Sequence, residues 1–204
     1  MSKSRFVDPD LHTPAHDAIM VWLDANARAV VTEILLPLFQ SAQRNAIRAI
    51  AEIPEGELLE PARGDYDALM AASAPDITLD APRWEVPVKF GGGTRYIDLL
   101  IRAKCRLPCV EWEEKYGPQR RVWVKGTYKH EIEIACGVKP LIRSVGELIR
   151  QLRQYESSAE RQLLFGKEVA VVSPDDRFRE IIERQGFLFI KAPQPDVGPQ
   201  GGLF

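Results

Sequence analysis

The chain has 204 residues, of which 45% are hydrophobic and 27% charged, with a formal net charge of −2. That length supports a sizeable core in one compact domain without disulfide or metal staples. The charge content argues against a membrane protein, and the near-neutral balance argues against a generic basic protein that coats nucleic acid.

No run approaches the roughly 18 apolar residues of a spanning helix. The first residues, from Met1 to Asp17, are polar and acidic without an apolar h-region, so no signal peptide is expected. Three cysteines, an odd number, fit a reducing cytosol better than a disulfide framework, and a cytoplasmic location is expected. Basic residues gather in Gln119-Arg120-Arg121, from Lys125 to Lys129 and from Lys139 to Arg153, while acids gather in residues 52–80. A positive face on a near-neutral molecule accounts for these runs; so do scattered solvated faces.

In chain order, residues 16–52 read as helix, because Ile19, Trp22, Leu23, Val30, Val31, Ile34, Leu35 and Leu38 recur at helical spacing. Pro37 is expected to kink or divide it. Residues 53–82 are acidic and hold Pro54, Pro61, Pro75 and Pro82, so they read as loop with a short helix from Asp65 to Ala72. The character then changes to strands, with Trp84 to Val88, a Gly91-Gly92-Gly93 turn, and Tyr96 to Ile101.

Val110 to Glu113 and Val122 to Val124 flank Gly117-Pro118 and suggest a hairpin; His130 to Val138 is a further strand stopped by Pro140. Ser144 is placed to cap a helix through about Ser157, with Glu147 at the capping-box position. Val169 to Val172 reads as strand, Asp175 to Gln185 as a helix closed by Gly186, and Phe187 to Ile190 as the last strand; Ala192 to Phe204, rich in Pro and Gly, reads as a flexible tail. The expected class is α/β (α+β), a mixed central sheet flanked by helices, with a helical and acidic part over 1–82, a core over 83–191 and a tail over 192–204.

Metal-dependent cleavage of a phosphodiester needs hard oxygen ligands for magnesium or manganese, and a cation near the attacking water. Carboxylates on adjacent strands, with a lysine nearby, supply both. The run Arg95-Tyr96-Ile97-Asp98-Leu99-Leu100-Ile101, then Gly137-Val138-Lys139-Pro140, then Ser144 to Tyr155 with Gln151-xxx-Tyr155, resembles the PD-(D/E)XK nuclease superfamily, in particular its RecB-like exonuclease branch. The resemblance spans about residues 84–191.

It implies a restriction-endonuclease-like core, Mg2+ or Mn2+ as cofactor and DNA as substrate, in repair, replication or phage-type DNA processing. Asp98 would ligate the metal, and Lys139 would orient water or stabilise the transition state. Gln151 and Tyr155, on one helical face, would contact substrate or support the site. Arg120, Arg121, Lys125, Arg143 and Arg150 are candidate nucleic-acid contacts. Many enzymes of the superfamily pair up, so a homodimer is among the expected states.

One departure matters: the motif Glu is Gly137 here. Glu133 shares its strand face but lies roughly 13 Å back. Glu147 on the following helix, Glu33 on the N-terminal helix and Glu85 on the preceding strand are the other candidate acids. The remaining account is a nuclease-fold module that binds nucleic acid or protein without cutting.

Lesser signals have plain alternatives. Cys105-xxx-Cys109 with His130 and Cys136 could hold a metal, but the spacing is unusual and buried thiols account for it. Asp175-Asp176 opens a helix and reads as a cap. Trp84, Trp112 and Trp123 suit base stacking or strand packing. Gln200, Leu203 and Phe204 resemble the short peptide by which bacterial DNA-processing proteins bind the sliding clamp.

Overall fold

The computed structural model describes residues 13–52, 71–90, 93–109, 111–113, 121–123, 128–156 and 167–196. The elements are α1 (Pro14–Ala51), β1 (Asp76–Leu79), β2 (Arg83–Phe90), β3 (Gly93–Leu107), β4 (Glu111–Glu113), β5 (Arg121–Trp123), β6 (Tyr128–Val138), α2 (Val145–Glu156), β7 (Lys167–Ser173), α3 (Arg179–Arg184) and β8 (Leu188–Lys191). Helices and a mixed sheet together make an α/β architecture, as the strand and helix periodicities imply. The expected short helix from Asp65 falls almost wholly outside the described residues, as does the tail beyond residue 196.

A six-stranded sheet runs β1-β3-β6-β7-β8, with β2 also paired to β3. β2 is antiparallel to β3 from Arg83↔Leu100 to Phe90↔Gly93, and β1 is antiparallel to it from Leu79↔Ala103 to Asp76↔Arg106. β6, β7 and β8 are parallel, with Val138↔Val172 at the end of one ladder and Ser173↔Lys191 at the end of the next. β4 and β5 form the expected two-stranded hairpin. β1 departs from the sequence reading, which took residues 53–82 as loop and short helix. Its alternation is real but brief, since Ile77 is buried between exposed Asp76 and Thr78.

Pro37 does not divide α1, which is a continuous 38-residue helix. A proline removes one ladder donor. Leu35 and Phe39, one helical turn apart, are both buried, and this packing carries the helix past it.

The chain groups into two compact units: Met1–Ala27, Asp80–Arg102 and Ile132–Phe204 form the first, Arg28–Leu79 and Ala103–Glu131 the second. In the second, the Arg28 guanidinium donates to the Ile77 carbonyl at 2.7 Å and the Gln43 amide to the Ala72 carbonyl at 3.2 Å. In the first, α2 buries Leu148, Leu152 and Tyr155, the i, i+4, i+7 stripe of an amphipathic helix. They join Val86, Val88, Ile97, Leu100, Ala135, Val169, Val171, Ile182 and Phe189 in one apolar cluster. Each such fully buried side chain contributes about 1.5–3 kcal/mol.

The start of α2 and the end of α3 follow the sequence. Ser144 Oγ accepts the backbone N–H of Glu147 at 3.4 Å, the capping bond that serine in this position supplies. Gly186, at φ 85°, ends α3: its N–H donates to the Glu183 carbonyl, and that of Phe187 to the Ile182 carbonyl. That double bond pattern needs a residue in the left-handed region, where glycine carries no Cβ penalty.

Candidate active site

Asp98 lies within β3 and is 5% exposed. A carboxylate this deep needs a fixed donor, and Asp98 Oδ2 accepts the backbone N–H of Val138 at 2.7 Å. Val138 is the last residue of β6, so the bond brings the carboxylate to the strand end from which Lys139 leaves. The N–H of Lys139 donates in turn to the Val172 carbonyl of β7 at 2.9 Å. Adjacent strands β3 and β6 thus bring together two positions forty residues apart in the chain.

The structure adds a residue that sequence reading passed over. Thr13 Oγ1 accepts the N–H of His16 at 3.2 Å, and Pro14 occupies the first helical position, where its missing N–H costs nothing. This start aims the imidazole inward: His16 is 6% exposed. Its Nδ1 lies 3.4 Å from Asp17 Oδ1, and its Nε2 lies 3.8 Å from Asp98 Oδ1. The second gap is beyond hydrogen-bond reach, and Nε2 is buried with no hydrogen-bond partner. Burial opposes the imidazolium, but the carboxylates of Asp98 and Asp17 outweigh it and raise the His16 pKa above its ordinary value. Cys136 is wholly buried, and burial together with the Asp98 charge pushes its thiol above its ordinary range.

Comparison with family models, with curated proteins and with solved structures returned no match.

The acids expected to replace the motif Glu are placed as follows. Glu133 Oε2 accepts the Arg102 Nε at 2.6 Å, which commits it to an ion pair along the β3–β6 ladder. Glu147 is exposed in the first turn of α2, where an acid suits the helix dipole. Glu33 is an exposed residue of α1 within the second unit. At Gly137 itself, a Cβ would meet Tyr155 Cε2 at 3.8 Å, the Ala170 carbonyl at 3.9 Å and Leu152 Cδ2 at 4.0 Å. The position expected to carry the motif acid therefore points into the apolar cluster beneath α2.

Gln151 and Tyr155 act on each other. The Gln151 amide donates to the Tyr155 hydroxyl at 2.7 Å, and that hydroxyl donates to the Tyr96 carbonyl at 2.9 Å. Tyr155 is 2% exposed, so its hydroxyl ties α2 to β3 two residues before Asp98, and it supports the strand without meeting solvent. Arg143 and Arg150 are exposed, and Arg150 Nε donates to the Gly146 carbonyl at 3.3 Å. Arg121 is described by its backbone in β5; Arg120, Lys125, Gln200, Leu203 and Phe204 lie outside the described residues.

Two further corrections follow. Asp175 is not a helix cap, because α3 begins at Arg179. Its carboxylate takes a bidentate bond from Arg177, both contacts 2.7 Å, and accepts the N–H of Ile142 at 3.1 Å. It therefore pins the loop that carries Lys139 to the end of β7. Trp84 is 45% exposed, so strand-core packing does not describe it; Tyr96 on β3 is 52% exposed as well. Trp112 and Trp123 lie in β4 and β5, whose side chains are outside the description.

Among the described residues no group of three or more His, Cys, Asp or Glu side chains converges on a common point. Cys105 and Cys136 are buried, Cys109 is half-buried, and none of the three is in a disulfide. Two donors do converge, His16 Nε2 and Asp98 Oδ1. Magnesium and manganese sites often use one or two protein ligands and leave the rest to water and phosphate. The 3.8 Å approach of His16 Nε2 to Asp98 Oδ1 is that of an imidazolium–carboxylate ion pair, and a divalent cation held by these two atoms would have to displace the imidazole proton. Among the described residues no helix is long and apolar enough to cross a membrane.

Proposed function

We propose that the chain is a divalent-metal-dependent nuclease of the PD-(D/E)XK type that hydrolyses DNA phosphodiester bonds. The observation that carries this is the buried pair of His16 Nε2 and Asp98 Oδ1, 3.8 Å apart, beside the strand end that leads into Lys139. The order of elements supports it too: a helix, an antiparallel β2–β3 pair, β6 beside β3, a crossover helix, and β7 parallel to β6.

His16 and Asp98 would hold the ion, which when bound neutralises charge on the phosphate and lowers the pKa of water. The Val138 N–H orients the Asp98 carboxylate so that Oδ1 stays turned toward His16. Lys139 supplies a cation for the charge that grows on the phosphoryl oxygens. Trp84 and Tyr96, exposed on β2 and β3 near Asp98, suit stacking of unpaired bases, which favours nucleic acid over other phosphodiesters.

The test is incubation of the full chain with single- and double-stranded DNA in manganese or in chelator. Cleavage in manganese that disappears in Asp98→Ala, with Trp84→Ala weakening the single-stranded substrate, supports the proposal. Retention of DNA without any cutting supports the second account, a nuclease-fold binder. One observation favours that second account: the motif acid position is Gly137, and its surroundings are apolar.

A further inference from the structure

The cations of β3 and its neighbour β2 divide into two sets. Along the second half of β3 each one is neutralised. Arg102 Nε lies 2.6 Å from Glu133 Oε2, Lys104 Nζ 3.5 Å from Glu131 Oε1, and Arg106 Nε 3.8 Å from Asp76 Oδ2. The hairpin made by β2 and the start of β3 differs. It carries Arg83, Lys89 and Arg95, and among the described residues none of these three has a carboxylate within ion-pair distance. Of the hairpin's own acids, Asp98 is buried against Val138 and His16, and Glu85 is already engaged. Positive charge is therefore left at this surface.

The same hairpin exposes two aromatic rings. Trp84 and Tyr96 are each about half exposed, which taken singly needs no explanation. Their register sets them among the cations. Tyr96 opposes Pro87 and Thr94 opposes Lys89, so Lys89 and Tyr96 are diagonal neighbours on one face, with Cβ atoms about 7–8 Å apart. Trp84 opposes Leu99 and projects by parity from the other face, next to Arg83. β2 pairs with β3 alone among the described strands, so it forms a margin of the sheet, where a ligand meets side chains from both faces. Pro87 leaves that margin without a backbone donor in mid-strand, which disfavours addition of another protein's strand.

Cations beside exposed rings along one margin match the chemistry of an unpaired nucleic-acid strand. Its phosphates take the charge, and each base offers a π-face to a ring. A duplex keeps its bases stacked on one another, and an acidic peptide presents no such series of flat faces.

We infer that the β2–β3 hairpin binds single-stranded nucleic acid, with Arg83, Lys89 and Arg95 on phosphates and Trp84 and Tyr96 against bases. This builds on the nuclease reading by naming an unpaired strand as its substrate, yet the binding itself requires no metal.

The experiment follows fluorescence anisotropy of a labelled oligothymidine of about 15 nucleotides with the full chain, in chelator, across a salt series. A duplex of equal length, inorganic polyphosphate and an acidic peptide serve as competitors. The expected result is binding of the single strand ahead of every competitor, with log K falling against log salt at a slope of about −2 from three phosphate contacts. Trp84→Ala and Tyr96→Ala should each weaken binding roughly 5- to 100-fold. Arg83→Gln, Lys89→Gln and Arg95→Gln should each flatten the slope by about 0.7. Lys104→Gln, which removes an equal charge from a neutralised position, should leave the slope unchanged. Equal loss in Lys104→Gln and Lys89→Gln overturns the inference, as does any competitor that matches unlabelled oligothymidine. Cutting in manganese with binding indifferent to the hairpin variants overturns it too, and leaves the nuclease reading standing. Hairpin-dependent binding without cutting overturns the nuclease reading alone, and neither binding nor cutting overturns both.

Discussion

The His16 imidazole and the Asp98 carboxylate face each other across 3.8 Å, both buried, one from the first turn of α1 and the other from within β3. Neither is solvated, and the far oxygen of Asp98 is held by the Val138 N–H. This pair gives the molecule its candidate chemistry, and under the proposed metal site it would set the choice of metal. An imidazole nitrogen is a softer donor than magnesium prefers. Manganese should therefore support cleavage at lower concentration than magnesium. His16→Ala should weaken Mn2+ binding about 10-fold or more while leaving the circular-dichroism spectrum unchanged; equal use of both metals by wild type and His16→Ala speaks against imidazole ligation.

Gly137→Glu is the natural attempt to restore the motif, and it should fail. The new side chain would start 3.8 Å from Tyr155 Cε2 and 4.0 Å from Leu152 Cδ2, inside the cluster beneath α2. Burying a carboxyl group there should destabilise the fold by about 2–4 kcal/mol. Urea unfolding reads this directly, and cleavage per folded molecule should not rise. A variant that is as stable as wild type and cuts faster would mean that position 137 faces the site after all.

The fate of these residues shows how far sequence alone could go. β3 and β6, α2 with its Ser144 cap, and the closing Gly186 were legible because each depends on local period or backbone conformation. The placement of Asp98 beside the end of β6 was expected from the resemblance alone, which sets a strand Asp beside the strand that leads into Lys139. His16 was not. A lone histidine in the first turn of a helix carries no periodic signal, and only the Thr13-Pro14 start hinted that the helix begins before it. The continuity of α1 through Pro37 and the strand β1 were hidden for a related reason: tertiary packing of Leu35, Phe39 and Ile77 outweighs local preference there. Gly137 was read as the site of the missing motif acid from its place two residues before Lys139, and its apolar surroundings explain why no acid stands there.

Tyr155→Phe separates support from substrate contact. It removes the donor to the Tyr96 carbonyl and the acceptor of the Gln151 amide, so it should cost about 0.5–1.5 kcal/mol. Because Tyr155 is buried, affinity for DNA should change less than about twofold. A large loss of affinity at unchanged stability would give the hydroxyl a substrate role.

Acid should loosen the loop that carries Lys139. The bidentate Arg177 guanidinium, helped by the Ile142 N–H, holds the Asp175 carboxyl well below the usual carboxylate range. A depressed folded pKa adds stability that is complete above the unfolded value, about 3.9, and is lost as pH falls below it. Asp175→Ala also strands the buried Ile142 N–H and should cost about 1–3 kcal/mol at pH 7. Its stability should then fall less steeply than that of wild type between about pH 4 and pH 2. Parallel unfolding curves over a pH series would show instead that the clasp contributes nothing.

The central claim is that His16 and Asp98 share one divalent cation, and diffraction from a manganese-soaked crystal tests it most directly. The expected result is an anomalous peak about 2.0–2.2 Å from both His16 Nε2 and Asp98 Oδ1. A crystal saturated with manganese that shows no peak between those atoms, their 3.8 Å gap unchanged, would contradict it.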